Sequence, residues 1–253
     1  MGPLTTAFIV LGCSYAAALL GMFLHGRLPE RHLDADSRDV VKLVMGLVAT
    51  MAALVLGLLV ASANASHERQ TSELKEISAN VILLDRTLAL YGPDAQALRD
   101  GMRDLVRQTH DAIWSPTGVR PENLNSPAVR SAVRSQLQRV ASLSPTTDMQ
   151  RMLKGRAFDQ VDSIAKSRLL MFENLGGQIS GLFLGVLIFW LSMLFLGFGL
   201  QARANATVAV ALFVGALSVS GAIFLILELS QPYRGLMQIS DQPLRSAIAQ
   251  LDR

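Results

Sequence analysis

Residues 43–66 read LVMGLVATMAALVLGLLVASANAS and contain no charged side chain. Three further uncharged stretches occur, at 2–24, 174–202 and 204–227. Because a helix needs ~20 apolar residues to cross ~30 Å of hydrocarbon, each stretch is long enough to span a bilayer. We predict four membrane-spanning helices at about 4–24, 43–64, 179–200 and 206–228. Soluble folds do not leave four such stretches, so a fully soluble protein is excluded.

The charge is concentrated between the second and third of these stretches. The chain has 253 residues, of which 51% are hydrophobic and 17% charged, whereas soluble domains average about 25% charged residues. Of the 43 charged side chains, 28 lie between Glu68 and Glu173. We therefore predict an all-α integral membrane protein with spans one and two in 1–64, a helical extramembrane region in 65–178, spans three and four in 179–228, and a C-terminal tail in 229–253.

The remaining bulk features limit the functional classes and the topology. The net charge of +3 comes without a block of like charges, so nucleic acid is not an expected partner. The first span could be a signal peptide, but no Lys or Arg precedes Arg27, and we expect the span to be retained. Basic residues near the span ends number five on one face and six on the other. The positive-inside rule therefore leaves the orientation open.

The middle of the chain has a helical pattern throughout. A heptad-like seam continues from the second span and comprises Leu74, Ile77, Val81, Leu84, Leu88 and Tyr91. Gly92-Pro93 should end that helix. We predict a second helix reaching Trp114, a third starting at Ser126-Pro127, and a fourth opened by Ser144-Pro145 that leads into span three.

Enzyme signatures are poor, and we expect neither an enzyme nor a cofactor. The four histidines lie outside the spans, and no phosphate-binding glycine loop or Cys/His ligand set occurs. His25 and His32 could form a metal site, but two ligands are a weak pattern. Ser220 is weakly similar to an intramembrane protease serine, yet no span offers a histidine as its base. Ser218 and Ser220 are better explained as helix contacts.

Span two has two distinct faces, and either could line a pore. The first face comprises Val48, Met51, Val55, Leu59 and Ser62 together with Val44. The opposite face comprises Thr50, Gly57, Ala61 and Asn64 together with Gly46 and Ala53. One face must pack on neighbouring helices, while the other could face lipid or form a hydrophobic constriction.

Three other groups of residues are candidates for packing or electrostatics. Gly177, Gly181 and Gly185 form a small-xxx-small repeat, and Ser218 and Gly221 are further packing candidates. Arg99, Arg103 and Arg107 share one helix face. They could form local ion pairs on a solvated face or a cationic ring in an oligomer vestibule. Glu228 ends span four at the membrane boundary, where Arg234 could pair with it.

Four motifs give the chain a family resemblance. HGRLP at 25–29, LGLLVASA at 56–63, ILLDRTL at 82–88 with YG at 91–92, and ALSVSGAIFLILEL at 216–229 with QP at 231–232 together resemble a bacterial membrane-protein family described as bestrophin-like. The resemblance covers nearly the whole chain. It implies the architecture of bestrophins, which are pentameric anion channels whose second span lines an axial pore. The chain departs from eukaryotic members because it lacks an acidic run after the last span and aromatic residues in span two, so calcium gating is not expected.

Two functional hypotheses follow. The first is a homo-oligomeric ion channel that conducts small ions through an axial pore lined by span two. The resemblance implies a pentamer that conducts anions. The resemblance also implies a bacterial inner membrane, with the central region and both termini cytoplasmic. The second is a non-conducting scaffold or sensor whose central helices bind a partner, a hypothesis motivated by the seam from Leu74 to Tyr91. An intramembrane hydrolase is a distant third.

Overall fold

We describe a computed structural model of the chain, which covers residues 2–27, 35–114, 127–175, 181–202, 205–231, 233 and 235–252. Its eight α-helices in these ranges are α1 (Pro3–His25), α2 (Ala35–Tyr91), α3 (Gln96–Ile113), α4 (Pro127–Ser142), α5 (Asp148–Leu175), α6 (Gly181–Gln201), α7 (Ala206–Leu229) and α8 (Gln242–Leu251). A 3₁₀ turn at Pro93–Ala95 joins α2 to α3. No strand occurs within the described ranges, which confirms the all-α prediction.

Four helices are long and apolar enough to cross a membrane: Pro3–His25, Asp39–Tyr91, Gly181–Gln201 and Ala206–Leu229. They correspond to the four predicted spans, with ends within two residues for the first, third and fourth. The second differs because its helix begins at Ala35 and continues to Tyr91. The predicted continuation of span two into the seam is therefore confirmed.

The glycine after Tyr91 ends α2 as the sequence predicted. Gly92 has a φ of +115° and a ψ of −170°, a conformation that is open only to a residue without a Cβ. Pro93 then starts the 3₁₀ turn that leads into α3.

The start of α5 was predicted wrongly. The helix begins at Asp148 rather than at Ser144-Pro145, because Thr147 and Gln150 form a capping box. The backbone N–H of Gln150 donates to Thr147 Oγ1 at 3.1 Å, and Gln150 Oε1 accepts from the backbone N–H of Thr147 at 3.4 Å. The Thr-x-x-Gln signature at 147–150 would have located this end.

The chain divides into two compact units. The first, here called the span unit, comprises Met1–Ala65 and Gln178–Ser230. In it α1 packs against α6 and α7, and an apolar cluster is built around Val10, Leu187, Leu191 and Ile223. The second, here called the polar unit, comprises Ser66–Gly177 and Gln231–Arg253, so the C-terminal tail belongs to it from Gln231 onwards.

The polar unit has its own hydrophobic core. Helices α2, α3, α4, α5 and α8 contribute buried side chains to it, including Leu84, Leu98, Val140, Leu153 and Leu244. The helix in the tail was not predicted from the sequence. It buries Leu244, Ala247 and Leu251 along one face, which attaches the tail to this core.

Candidate functional site

The apolar part of α2 is the least buried of the four candidate spans. In its most apolar 18 residues, 11% of positions are buried within the chain, against 28% in α1, 28% in α6 and 22% in α7. Helix α1 packs against α6 and α7, whereas most of the surface of the apolar part of α2 is exposed among the described residues. Unpartnered surface on a membrane helix must be covered by lipid, by water in a pore or by another protein chain.

One face of α2 packs inside the span unit. Val55 and Leu59 lie against the cluster of Val10, Leu187, Leu191 and Ile223, while Val48 is half-buried. Ala52 and Ala63 are buried on the same side. Three of the six residues on the first predicted face are therefore turned towards the chain's own helices. The other three, Val44, Met51 and Ser62, are exposed.

The opposite predicted face is exposed and lined by small residues. Gly46, Thr50, Gly57, Ala61 and Asn64 all lie on this face. A Cβ built on Gly46 or Gly57 would meet no atom within 4 Å. The Thr50 hydroxyl donates to the Gly46 carbonyl one turn earlier, at 2.9 Å, so it is satisfied within its own helix. No contact within the described part of the chain requires glycine at 46 or 57.

A third face of α2 carries large exposed side chains, of which only Met51 was among the residues predicted to line a pore. It comprises Leu43, Leu47, Met51, Leu54 and Leu58, with Leu54 and Leu58 69% and 68% exposed. The spacing of three and four residues places these side chains on one stripe, adjacent to the small-residue face. The helical spacing of these large apolar residues is visible in the sequence. Composition alone, however, does not distinguish this exposed stripe from the face with Val55 and Leu59 that packs inside the span unit.

The predicted vestibule arginines all have carboxylate partners. Arg99 donates two hydrogen bonds of 2.9 Å to Asp85, and Arg103 lies 3.7 Å from both Asp85 and Asp100. Arg107 pairs with Asp252. The hydrogen bond to Asp85 raises the pKa of the Arg99 guanidinium, so this side chain is charged at every physiological pH. Of the two interpretations of Arg99, Arg103 and Arg107, these contacts correspond to local ion pairs.

The close helix contacts lie at other glycines than those predicted. Gly181, Gly185 and Gly221 are exposed, and a Cβ on any of them would meet nothing within 4 Å. Gly177 lies outside the described residues. The close approach is between α1 and α6, where a Cβ on Gly21 would overlap the Leu196 carbonyl oxygen and one on Gly199 would overlap that of Ala18.

The two serines of α7 behave differently. The Ser220 hydroxyl is buried and donates to the Ala7 carbonyl of α1 at 2.7 Å, so it joins two helices. The Ser218 hydroxyl is exposed and donates to Val214 in its own helix at 2.9 Å. Ser220 therefore makes a contact between helices, and the helix contact of Ser218 stays a prediction.

The remaining candidates are boundary residues. Glu228 is 3% exposed near the end of α7, and its predicted partner Arg234 lies outside the described residues. His25 Nδ1 lies 2.7 Å from the Leu200 carbonyl oxygen near the end of α6, and His32 is not described. Within the described ranges, no group of three or more His, Cys, Asp or Glu side chains could hold a metal ion.

The seam from Leu74 to Tyr91 is used inside the chain. Leu74, Val81, Leu84, Leu88 and Tyr91 are buried, and Ile77 packs against the same core from a half-buried position. These side chains are therefore not available to bind a separate partner. The scaffold hypothesis loses the feature that motivated it.

The fold defines the class of the protein. It is an all-helical membrane protein with four strongly apolar segments in the span unit and a second unit that is rich in charge. The family model described as Bestrophin-like domain matches residues 12–244, and the chain belongs to the bestrophin-like family. No curated protein and no solved structure matches the chain.

Proposed function

We propose that several copies of this chain form an ion channel whose central pore is lined by the apolar part of α2. The observation that carries the proposal is the exposure of this helix, which has one packed face and two faces that are exposed among the described residues. Family membership supports the same conclusion. Four spans are too few to enclose a pore, so the pore requires more than one copy.

The three faces of α2 have different roles in this proposal. Val55 and Leu59 attach the helix to its own span unit. The small-residue face of Thr50, Gly57 and Ala61 contacts the neighbouring copy, because small side chains let helix backbones approach closely in a membrane. The stripe with Met51 and Leu58 then faces the axis, and Ser62 follows one turn after Leu58 along α2.

An axis lined by methionine and leucine is a hydrophobic constriction. Such a neck conducts when it is wide enough to hold water and closes when it dewets. We therefore propose that the part of the stripe formed by Met51, Leu54 and Leu58 is the gate. The preference for anions and the number of subunits are taken from the family resemblance. The protein acts by conduction and carries out no catalytic step.

The channel lies in a bacterial inner membrane, with the polar unit and both termini on the cytoplasmic side, as the family resemblance implies. Protease digestion of inside-out and right-side-out vesicles tests this orientation. Cleavage of the polar unit should occur only in inside-out vesicles, and cleavage only in right-side-out vesicles would reverse the topology.

Conductance is tested by reconstituting the purified chain into liposomes and planar bilayers under chloride and potassium gradients. We expect a chloride-selective current that changes when Met51 is replaced by alanine. Leu217→Ala is the matched control, because Leu217 on α7 is 50% exposed and Met51 is 48% exposed. Absence of current under every gradient and voltage would overturn the proposal, and an unchanged current in M51A would remove this stripe as the gate.

A further inference from the structure

A groove in the polar unit lies between α2 and α8. Its volume is about 500 Å³, which falls in the range of small-molecule sites. Ile82, Ala249 and Leu251 give it apolar walls, and Asp85, Arg86, Ser246 and Gln250 supply polar groups. Neither the conduction proposal nor the family assignment gives this groove a role.

The charge in the groove is unbalanced. Asp85 is engaged by Arg99 and Arg103, so two guanidinium groups of α3 neutralise its carboxylate. Asp252, which follows Leu251, is paired with Arg107. Arg86 has no acidic partner in the described part of the chain. Its hydrogen bond is a 3.4 Å contact from Nη2 to Gln250 Oε1.

A guanidinium group with one long hydrogen bond retains most of its five donors. Its planar fork matches the two oxygens of a carboxylate and binds them through paired, charge-assisted hydrogen bonds. The Ser246 hydroxyl and the Gln250 amide can add donors. The apolar walls require a ligand with a hydrocarbon body. Helix α8 ends at Leu251, and the free carbonyl groups there carry partial negative charge. This end of the groove therefore favours the hydrocarbon part of a ligand and disfavours a second carboxylate.

We propose that the groove between α2 and α8 binds a small organic carboxylate, with Arg86 holding the carboxylate and Ile82, Ala249 and Leu251 contacting its apolar body. The site lies within the polar unit and does not depend on conduction by α2. It would let a soluble metabolite bind to the protein.

The test uses the full-length protein in detergent and isothermal titration with benzoate, acetate and inorganic phosphate, each corrected for empty micelles. We expect saturable binding of benzoate. Acetate and phosphate should bind at least about tenfold more weakly, because they lack the apolar body whose burial contributes about 1.4 kcal/mol or more. Equal affinity for all three anions, or no saturable binding of any of them, would overturn the proposal.

Two variants separate this site from a general anion effect. Arg86→Gln removes the charge, and Ala249→Phe fills the groove from an exposed position while leaving Arg86 intact. Each should weaken benzoate binding about tenfold or more. Arg130→Gln is the control, because Arg130 is another exposed arginine and lies on α4, outside the groove. The R130Q protein should bind benzoate like the parent. If R86Q and A249F also bind like the parent, the groove is not the site. Retained conductance in both variants would show that any loss of binding is not a failure of the pore.

Discussion

Arg99 on α3 donates hydrogen bonds to both carboxylate oxygens of Asp85 on α2. Its Nε and Nη2 atoms each donate a hydrogen bond of 2.9 Å, the bidentate geometry that a guanidinium fork favours. Both side chains are largely buried, and Arg103 approaches the same carboxylate at 3.7 Å. The pair therefore joins two helices of the polar unit through charges that water screens only weakly.

Replacing Arg99 with alanine should destabilise the polar unit by about 2–3 kcal/mol, because the Asp85 carboxylate would remain buried with its main partner removed. The measurement is chemical unfolding followed by Trp114 fluorescence. The chain has two tryptophans, so a Trp190→Phe background makes Trp114 the reporter of this unit. Arg99→Lys should recover part of the loss, since it keeps the charge and loses the fork.

The matched control for R99A is Arg151→Ala. Arg151 also pairs with an aspartate, Asp148, but both side chains are exposed and the pair lies within one helix turn. Exposed pairs contribute about 0–1 kcal/mol, so R151A should be close to neutral. Equal losses in the two variants would mean that burial of the Asp85 pair does not matter.

Replacing Gly21 with alanine should destabilise the span unit by about 1–3 kcal/mol, because the added methyl group would overlap the Leu196 carbonyl of α6. Backbone atoms cannot move aside as a side chain can. The measurement is unfolding in detergent, followed by Trp190 fluorescence in a Trp114→Phe background. Gly12→Ala is the control on the same helix, since its Cβ would meet nothing within 4 Å. A loss in G12A as large as that in G21A would contradict the close contact.

The sequence was sufficient for most of the helices, although not for α8, and insufficient for their contacts. Uncharged stretches gave the four apolar helices, because length and composition alone determine whether a helix can span a bilayer. The seam from Leu74 to Tyr91 and the stop at Gly92 were also predictable, since helix periodicity and the positive φ of Gly92 are local properties. The start of α5 is also a local property, because the capping box of Thr147 and Gln150 fixes it.

The faces of α2 could not be assigned in the same way. Periodicity groups Val55 with Met51, but only the packing of Val55 against the cluster of Leu187 and Ile223 shows that it points inward. The contact at Gly21 was equally hidden. Glycine is required there because the backbone of α6 lies against Gly21, and the sequence around Gly21 does not indicate that contact. Contacts between distant segments are set by tertiary packing, which a local pattern does not encode.

Replacing Gly57 with leucine should lower the oligomeric state without destabilising the span unit. Gly57 is exposed and a Cβ there would meet no atom within 4 Å, so the chain itself can accommodate the larger side chain. In the proposed channel the same position contacts the neighbouring copy, where a leucine would separate the helices. Native mass spectrometry of the purified protein gives the subunit number. Gly12→Leu is the control, and an intact oligomer in G57L would place the interface elsewhere.

The stability of the polar unit should fall above pH 10 in a way that depends on Tyr233. Burial raises the pKa of the Tyr233 phenol, and the charge of Glu73 raises it further. An ordinary tyrosine pKa is about 10, so the folded state holds this proton more tightly than the unfolded state does. The stabilisation is complete below pH 10 and is lost as the pH rises towards the folded pKa, with a limiting slope of about 1.4 kcal/mol per pH unit.

Tyr233→Phe removes this proton and should therefore lose less stability than the parent between pH 10 and 11.5. At pH 7 the variant should be neutral or slightly more stable, because the buried Tyr233 hydroxyl has no hydrogen-bond partner among the described residues. Trp114, whose ring centre lies 6.2 Å from that of Tyr233, reports unfolding in the Trp190→Phe background. Tyr15→Phe in the span unit is the control and should follow the parent. Parallel pH profiles for the parent and Y233F would show that the phenol titrates as it does in water.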